Sequence, residues 1–250
     1  MRLNKYLSDA GICSRREADR LTEAGEILVD GKKAVLGMQI EEGQEILVKG
    51  KKIQKEEKKV LLLFHKPRGV ECTADPRVRN NVISYINYPI RVYYIGRLDK
   101  DSEGLLLLTN QGDLVNKIMR AGNRHEKEYQ VIVDRPVTDE FIRKMSQGVP
   151  ILGTVTRKCQ VKKTGERSFD IVLTQGLNRQ IRRMCEYLGY KVKRLKRVRV
   201  MNLELGDLPV GQYREAEAKE LEELKKLTRD SSEVTVIHKT EKGRRRRRNG

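Results

Sequence analysis

The side chains best placed to do chemistry lie in one short stretch, Tyr94-Ile-Gly-Arg-Leu-Asp-Lys-Asp-Ser-Glu-Gly-Leu-Leu-Leu-Leu-Thr-Asn110. It sets Asp99, Asp101 and Glu103 in a polar turn between two apolar runs, with Arg97 alongside. Carboxylates held in a turn can serve as nucleophile, base or acid. On composition alone two readings stand open. One is a solvated connecting turn. The other is the carboxylate pair of a glycosidase, although such an enzyme usually wants aromatic sugar platforms and this chain has no Trp.

A second cluster is cationic. Ile181, Met184, Cys185 and Leu188 recur at i, i+3, i+4 and i+7, the spacing of an amphipathic helix. Arg179, Arg182 and Arg183 lie opposite that stripe, and Asn178 stands where an N-cap is expected. A solvated helix face would look the same. Other chemistries find little support. Cys13, Cys72, Cys159 and Cys185 are far apart, with no Cys-x-x-Cys pair and no histidine cluster, so no metal site or disulfide framework is expected. No Gly-x-Ser-x-Gly elbow accompanies the 3 histidines, and no glycine-rich phosphate loop follows a strand. No cofactor is implied.

The elements that must position these residues are legible as apolar periodicities. The strand-like runs are Val60 to Phe64, Val92 to Ile95, Leu105 to Leu108, Tyr129 to Val133, Phe169 to Leu173 and Val198 to Leu205. Amphipathic helices are predicted around Leu114 to Met119, Phe141 to Met145 and Ile181 to Leu188. Several strands follow one another before a helix intervenes, which predicts an α+β domain with a mixed, largely antiparallel sheet.

Ahead of it, residues 1–48 read as a separate small unit. Leu3, Leu7 and Ile12 open it at near-helical spacing. Ser14-Arg-Arg-Glu17 has the capping-box form, Ala18 and Leu21 continue the apolar face, and Gly25 suits the helix end. Two short strands, Ile27 to Asp30 and Glu45 to Val48, follow with glycine turns. Residues 49–59 read as a lysine-rich exposed linker, 60–230 as the larger domain, and 231–250 as a basic, disordered tail.

The net charge is +18, of which +6 falls in the last dozen residues. An excess of this size attracts polyanions, nucleic acid first among them. Residues 1–50 nevertheless hold 8 Lys and Arg against 9 Asp and Glu, so any RNA contact there needs a local patch. Arg15, Arg16 and Arg20 supply one, on the helix face away from Ala18 and Leu21. No apolar run approaches the roughly 20 residues of a transmembrane helix, and no signal core follows Met1, so a cytoplasmic protein is expected.

Taken together, Asn4-Lys5-Tyr-Leu, Cys13-Ser-Arg-Arg-Glu-Ala-Asp-Arg20 and Gly25-x-Ile-x-Val-Asp-Gly31 resemble the S4 RNA-binding domain. Downstream, Gly96-Arg97-Leu98-Asp99 with Gly104-Leu-Leu-Leu-Leu-Thr-Asn resembles the first motif of the RNA pseudouridine synthases of the small-subunit ribosomal branch. Glu126-Lys127-Glu128-Tyr129-x-Val131-x-Val133 resembles their second motif, and Gly176-Leu-Asn178-Arg179-Gln180-Ile181-Arg182-Arg183-Met184 their third, all in order. Within the family, Gly112 to Asn123 and Met145 to Val155 are most similar to synthases acting on large-subunit ribosomal RNA. His65-Lys66-Pro67 stands where relatives have Asn-Lys-Pro.

The resemblance implies isomerisation of uridine to its C-linked form, with Asp99 as nucleophile or base at the sugar, Tyr129 against the target base and Arg182 paired with Asp99. A carboxylate in that role must be ionised, and an adjacent guanidinium favours and orients that form. The target base must leave its stack; Arg97 could then fill the vacated space. Arg15, Arg16, Arg20, Arg179 and Arg183 are the other expected RNA contacts. The implied partner is a stem-loop of large-subunit ribosomal RNA, or of transfer RNA, met by a monomer. The alternative of another class is a noncatalytic S4-type RNA-binding protein, which would have no need of Asp99.

Overall fold

The structure, a computed structural model, describes residues 1–53, 58–119, 124–229 and 231. The expectation of a disordered basic tail, the middle of the expected linker and the end of the Gly112 to Asn123 stretch lie outside these residues. No helix among them is long and apolar enough to cross a membrane.

The N-terminal unit pairs helices α1 (Leu3–Asp9) and α2 (Arg15–Glu23) with a sheet of order β2-β1-β3-β4. Its strands are β1 (Ile27–Val29), β2 (Lys32–Lys33), β3 (Ile46–Val48) and β4 (Lys51–Lys52). Ser14 caps α2 by accepting a hydrogen bond from the Glu17 amide at 3.1 Å. The other half of the expected capping box is replaced: the Glu17 carboxylate pairs with Arg20. Leu3, Leu7, Ala18, Leu21, Ile27, Val29 and Ile46 form this unit's core. The sheet does not stop at Val48, because β4 pairs with β3 and Ile53 packs on the same core. Residues expected to open the linker are thus part of the fold.

The second unit is built on a nine-stranded sheet of order β11-β12-β8-β13-β7-β5-β15, with β6 also on β7 and β14 on β13. The strands are β5 (Leu61–Lys66), β6 (Tyr93–Ile95), β7 (Glu103–Thr109), β8 (Lys127–Val133), β11 (Gln160–Gly165), β12 (Ser168–Leu173), β13 (Val192–Val200), β14 (Leu203–Glu204) and β15 (Tyr213–Glu215). A separate hairpin joins β9 (Pro150–Ile151) to β10 (Thr154–Val155). The helices are α3 (Val82–Ile86), α4 (Gly112–Met119), α5 (Asp139–Gln147), α6 (Gln180–Tyr187) and α7 (Ala218–Leu227). The α+β class and mixed sheet are as expected. One predicted strand divides: Val198 to Leu205 is the end of β13, a turn through Met201 at φ 55°, and β14. Elements α3, α7, β11 and β15 were not legible. Strand β11 reads Gln-Val-Lys-Lys-Thr-Gly at a sheet edge and has almost no apolar face to betray it.

Side-chain alternation sorts the core. Leu61, Leu63, Leu105 and Leu107 face α4 and α7, whereas Leu62, Phe64, Leu106 and Leu108 face α3 and Leu98. Beyond them, Val131, Val133, Phe169 and Ile171 pack on α5 and α6. All four leucines of β7 have 0% exposure, and each contributes roughly 2 kcal/mol by burial. Strand β7 is therefore a firm base for the polar turn that precedes it.

All pairings in the large sheet are antiparallel except one. Strands β13 and β7 run parallel, in register at Lys196–Glu103 and Arg197–Gly104. Gly104 has φ 109°, and a Cβ there would lie 2.2 Å from the Arg197 carbonyl oxygen and 2.5 Å from its nitrogen. Only glycine fits. The seam is further tied by Arg197 Nε donating to the Leu105 carbonyl at 2.7 Å and by Arg194 donating to Glu103 at 2.6 Å. Glu103, expected in the turn, thus begins β7 and serves this ion pair. Gly104→Ala should cost on the order of 3 kcal/mol through clash and backbone strain. The measurement is thermal unfolding, with an expected fall in Tm of about 10 °C; an unchanged Tm would refute the close approach.

Candidate active site

Strand β6 leads through Gly96, exposed Arg97 and buried Leu98 to Asp99. The turn closes when the Ser102 amide donates to the Asp99 carbonyl at 3.0 Å. Lys66, from the end of β5, supports it from below. This lysine has 0% exposure, and its Nζ donates to the Ser102 and Pro67 carbonyls, both at 2.8 Å. Burial lowers its pKa, with Cys72 and the carboxylates of Asp101, Asp99 and Glu103 opposing. Sequence reasoning missed Lys66 and Ser102; a lysine closing an otherwise apolar strand was the available signal.

The opposite side comes from α6. Its N-cap is Arg179, not Asn178, and it offers no side-chain cap. Arg179 adopts the left-handed conformation, φ 50° and ψ 37°, at a cost of about 1 kcal/mol. The tight turn is held by Gln180 Oε1, which accepts from the Leu177 amide at 3.0 Å. Arg183 folds back on the same turn, donating to the Asn178 carbonyl at 3.1 Å and Oδ1 at 3.2 Å. Asn178 therefore serves as acceptor for Arg183 rather than as cap.

This geometry aims two guanidinium groups at one carboxylate 80 residues away. Arg179 Nη1 lies 3.3 Å from Asp99 Oδ2 and 3.4 Å from Asp101 Oδ1. Arg182 Nε lies 3.7 Å from Asp99 Oδ2, an ionic contact without a hydrogen bond. Its Nη2 donates to Ser102 Oγ at 3.0 Å and to the Asp101 carbonyl at 3.2 Å, and meets Asp101 Oδ2 at 3.3 Å. Burial lowers the Arg182 pKa, yet an arginine stays charged. The turn is thus held by Lys66 on one side and Arg182 on the other.

Asp99 opens onto a cleft of about 660 Å³ shared with Arg68, Gly69, Lys100, Asp101 and Arg179. Exposed Arg68 is a cleft cation that sequence reasoning missed. Tyr129, half-buried on β8, packs where the cluster of Leu98 and Leu106 meets that of Val131 and Ile171. Arg97 makes no hydrogen bond or ion pair among the described residues. Arg15, Arg16 and Arg20 are exposed on α2 and do not join the Asp99 cluster. His65 is buried and bonds the Leu208 carbonyl through Nδ1 at 2.7 Å, a packing role.

The family model described as RNA pseudouridylate synthase matches residues 60–187, and that of the S4 domain matches residues 1–46. The chain is 55% identical over 234 residues to the dual-specificity RNA pseudouridine synthase RluF of Escherichia coli K12, covering 93% of this chain and 81% of that protein. It is 37% identical over 235 residues to the ribosomal large subunit pseudouridine synthase B of Bacillus subtilis, covering 90% of this chain and 96% of the relative. A crystal structure of a pseudouridylate synthase superposes with TM-score 0.67 at 25% identity, over 90% of this chain and 99% of that one. The chain therefore belongs to the RNA pseudouridine synthases, isomerases that act on uridine in RNA, and carries an S4 domain ahead of its catalytic domain.

Proposed function

We propose that Asp99 acts on the ribose of the target uridine and that Arg182 and Arg179 together hold its carboxylate in position. The observation that carries this reading is the convergence of both guanidinium groups on Asp99 at the mouth of the cleft. Two guanidinium groups constrain a carboxylate's orientation better than one. Arg179, expected to contact RNA, is thereby read first as a positioning residue. Tyr129 offers its ring to the uracil. Exposed, unpartnered Arg97 suits the gap left in the RNA when the base leaves its stack.

The substrate we propose is a stem-loop of large-subunit ribosomal RNA, with transfer RNA as the second. The names of the relatives, one dual-specificity and one for the ribosomal large subunit, support that choice. Arg15, Arg16 and Arg20 would meet the phosphate backbone, Arg68 and Lys100 the strand entering the cleft. Arg183, engaged with Asn178, contributes through the shape of its turn. The protein would act as a cytoplasmic monomer, in two units meeting near residue 53 with a catalytic domain from about residue 60.

Asp99→Asn should reduce pseudouridine formation at least about 1000-fold, as loss of a nucleophile does, while RNA affinity stays within about threefold. The assay is carbodiimide-blocked reverse transcription on protein-free ribosomal RNA lacking the modification. Residual activity near the wild type would remove Asp99 from the chemistry. Replacing Arg15, Arg16 and Arg20 together by alanine should weaken RNA binding more than tenfold and lower the slope of log affinity against log salt by about 2 to 3. Filter binding across a salt series checks this; an unchanged slope would mean that the α2 face does not touch phosphate.

A further inference from the structure

Beside the Asp99 cluster, the sheet around Tyr129 holds two cations, Lys127 and Arg197, that no acid neutralises among the described residues. Tyr129 packs with Val131, and half-buried Lys127 stands two residues before Tyr129 on β8. Arg197 stands directly across from Tyr129 on β13. Arg197 is 2% exposed, and its Nη2 is buried with no hydrogen-bond partner. Lys127 Nζ donates only to the His125 carbonyl, at 3.2 Å. Among the described residues neither cation meets a carboxylate. They repel each other, and burial with Arg197 nearby lowers the Lys127 pKa to about 8. A buried and a half-buried like charge, the buried one with an unused donor, are costly to fold around, and an anion would relieve that cost.

The reaction supplies one. As the N1–C1′ bond breaks, its electron pair leaves with the uracil, and the ribose C1′ is taken up by the Asp99 carboxylate. The charge spreads over N1, O2 and O4 of the ring. C5 then bonds to C1′, the Asp99 oxygen departs, the C5 proton is lost and N1 is reprotonated, so atoms and electrons balance. We propose that Lys127 and Arg197 form a cationic floor beside Tyr129 that holds the negative charge of the uracil while it is detached from the ribose. This rests on the reading of Tyr129 as the base-contacting residue. Charge that appears only on bond cleavage is stabilised more in the transition state than in the bound substrate, so the effect falls on the rate rather than on RNA affinity.

The test is single-turnover tritium release from a [5-³H]uridine stem-loop by the full chain, with RNA Kd measured alongside. Lys127→Met should slow the step about 100-fold with Kd within threefold, and Lys127→Arg should recover most of it. A rate within threefold of wild type, or a loss carried by Kd alone, overturns the proposal. Should Lys127→Met not fold, the wild-type pH profile of kcat/KM decides, since it reports the free enzyme. The groups around Lys127 are Arg197 from β13 and His125, whose pKa burial and Lys127 lower; Cys72 and Lys66 lie beyond Arg197. Lys127 loses its charge as pH rises through about 8, so kcat/KM should fall there in the wild type and stay level in Lys127→Arg up to pH ~9. A flat wild-type profile overturns the proposal. A wild type that makes no pseudouridine in any RNA would instead refute the substrate reading above.

Discussion

Strands β7 and β13 are parallel over two register pairs in a sheet whose other pairings are antiparallel, and the active site depends on that contact. The turn entering β7 carries Asp99, and the segment entering β13 is α6 with Arg179 and Arg182. The start of β7 lies against Lys196 and Arg197, midway along β13, and at this level Asp99 meets Arg179 although 80 residues separate them. The contact is possible because Gly104 lets the backbones approach to a distance no Cβ allows.

Around this seam the molecule uses buried cations as struts. Lys66 donates to two carbonyls beneath the Asp99 turn, Arg182 to a hydroxyl and a carbonyl above it, and Arg197 to the Leu105 carbonyl within the seam. Each is a charge-assisted hydrogen bond in a low-dielectric setting, stronger than a neutral one. The price is desolvation, visible in the lowered pKa values of Lys66 and Arg182. The result is a turn whose backbone is tied from both sides while the Asp99 and Asp101 carboxylates face an open cleft. Such a turn can receive a bulky, flexible polynucleotide without losing its own geometry.

Charge is also divided between tasks. Arg68 at the cleft mouth is exposed, Arg179 beside it is held by Asp99 and Asp101, and Arg182 beneath the surface is committed to the Asp101–Ser102 turn. The N-terminal unit is slightly acidic overall and relies on one helix face for its basic character. Total charge identifies the class of partner, and placement decides what each cation does.

By itself the sequence determined the class of fold and the family, and it singled out Asp99 as the candidate nucleophile. Local patterns suffice for these: unbroken apolar runs marked the buried strands Leu61 to Phe64 and Leu105 to Leu108, helical spacing marked α4, α5 and α6, and three ordered motifs marked the likeness to the family. It also paired Arg182 with Asp99, through likeness to a family. Tertiary structure alone decided the rest. Arg179 shares the carboxylate because a left-handed residue ends the turn before α6, and Asn178 is occupied by Arg183 and not by a helix amide. Glu103 is spent on Arg194 across the seam. Lys66 and Arg197 read as ordinary strand cations until the sheet buries them, and Lys127 until it is half-buried beside Arg197. Periodicity reports which face of an element is apolar, but the partner of a buried charge is chosen by strands distant in sequence, and only the folded sheet brings those together.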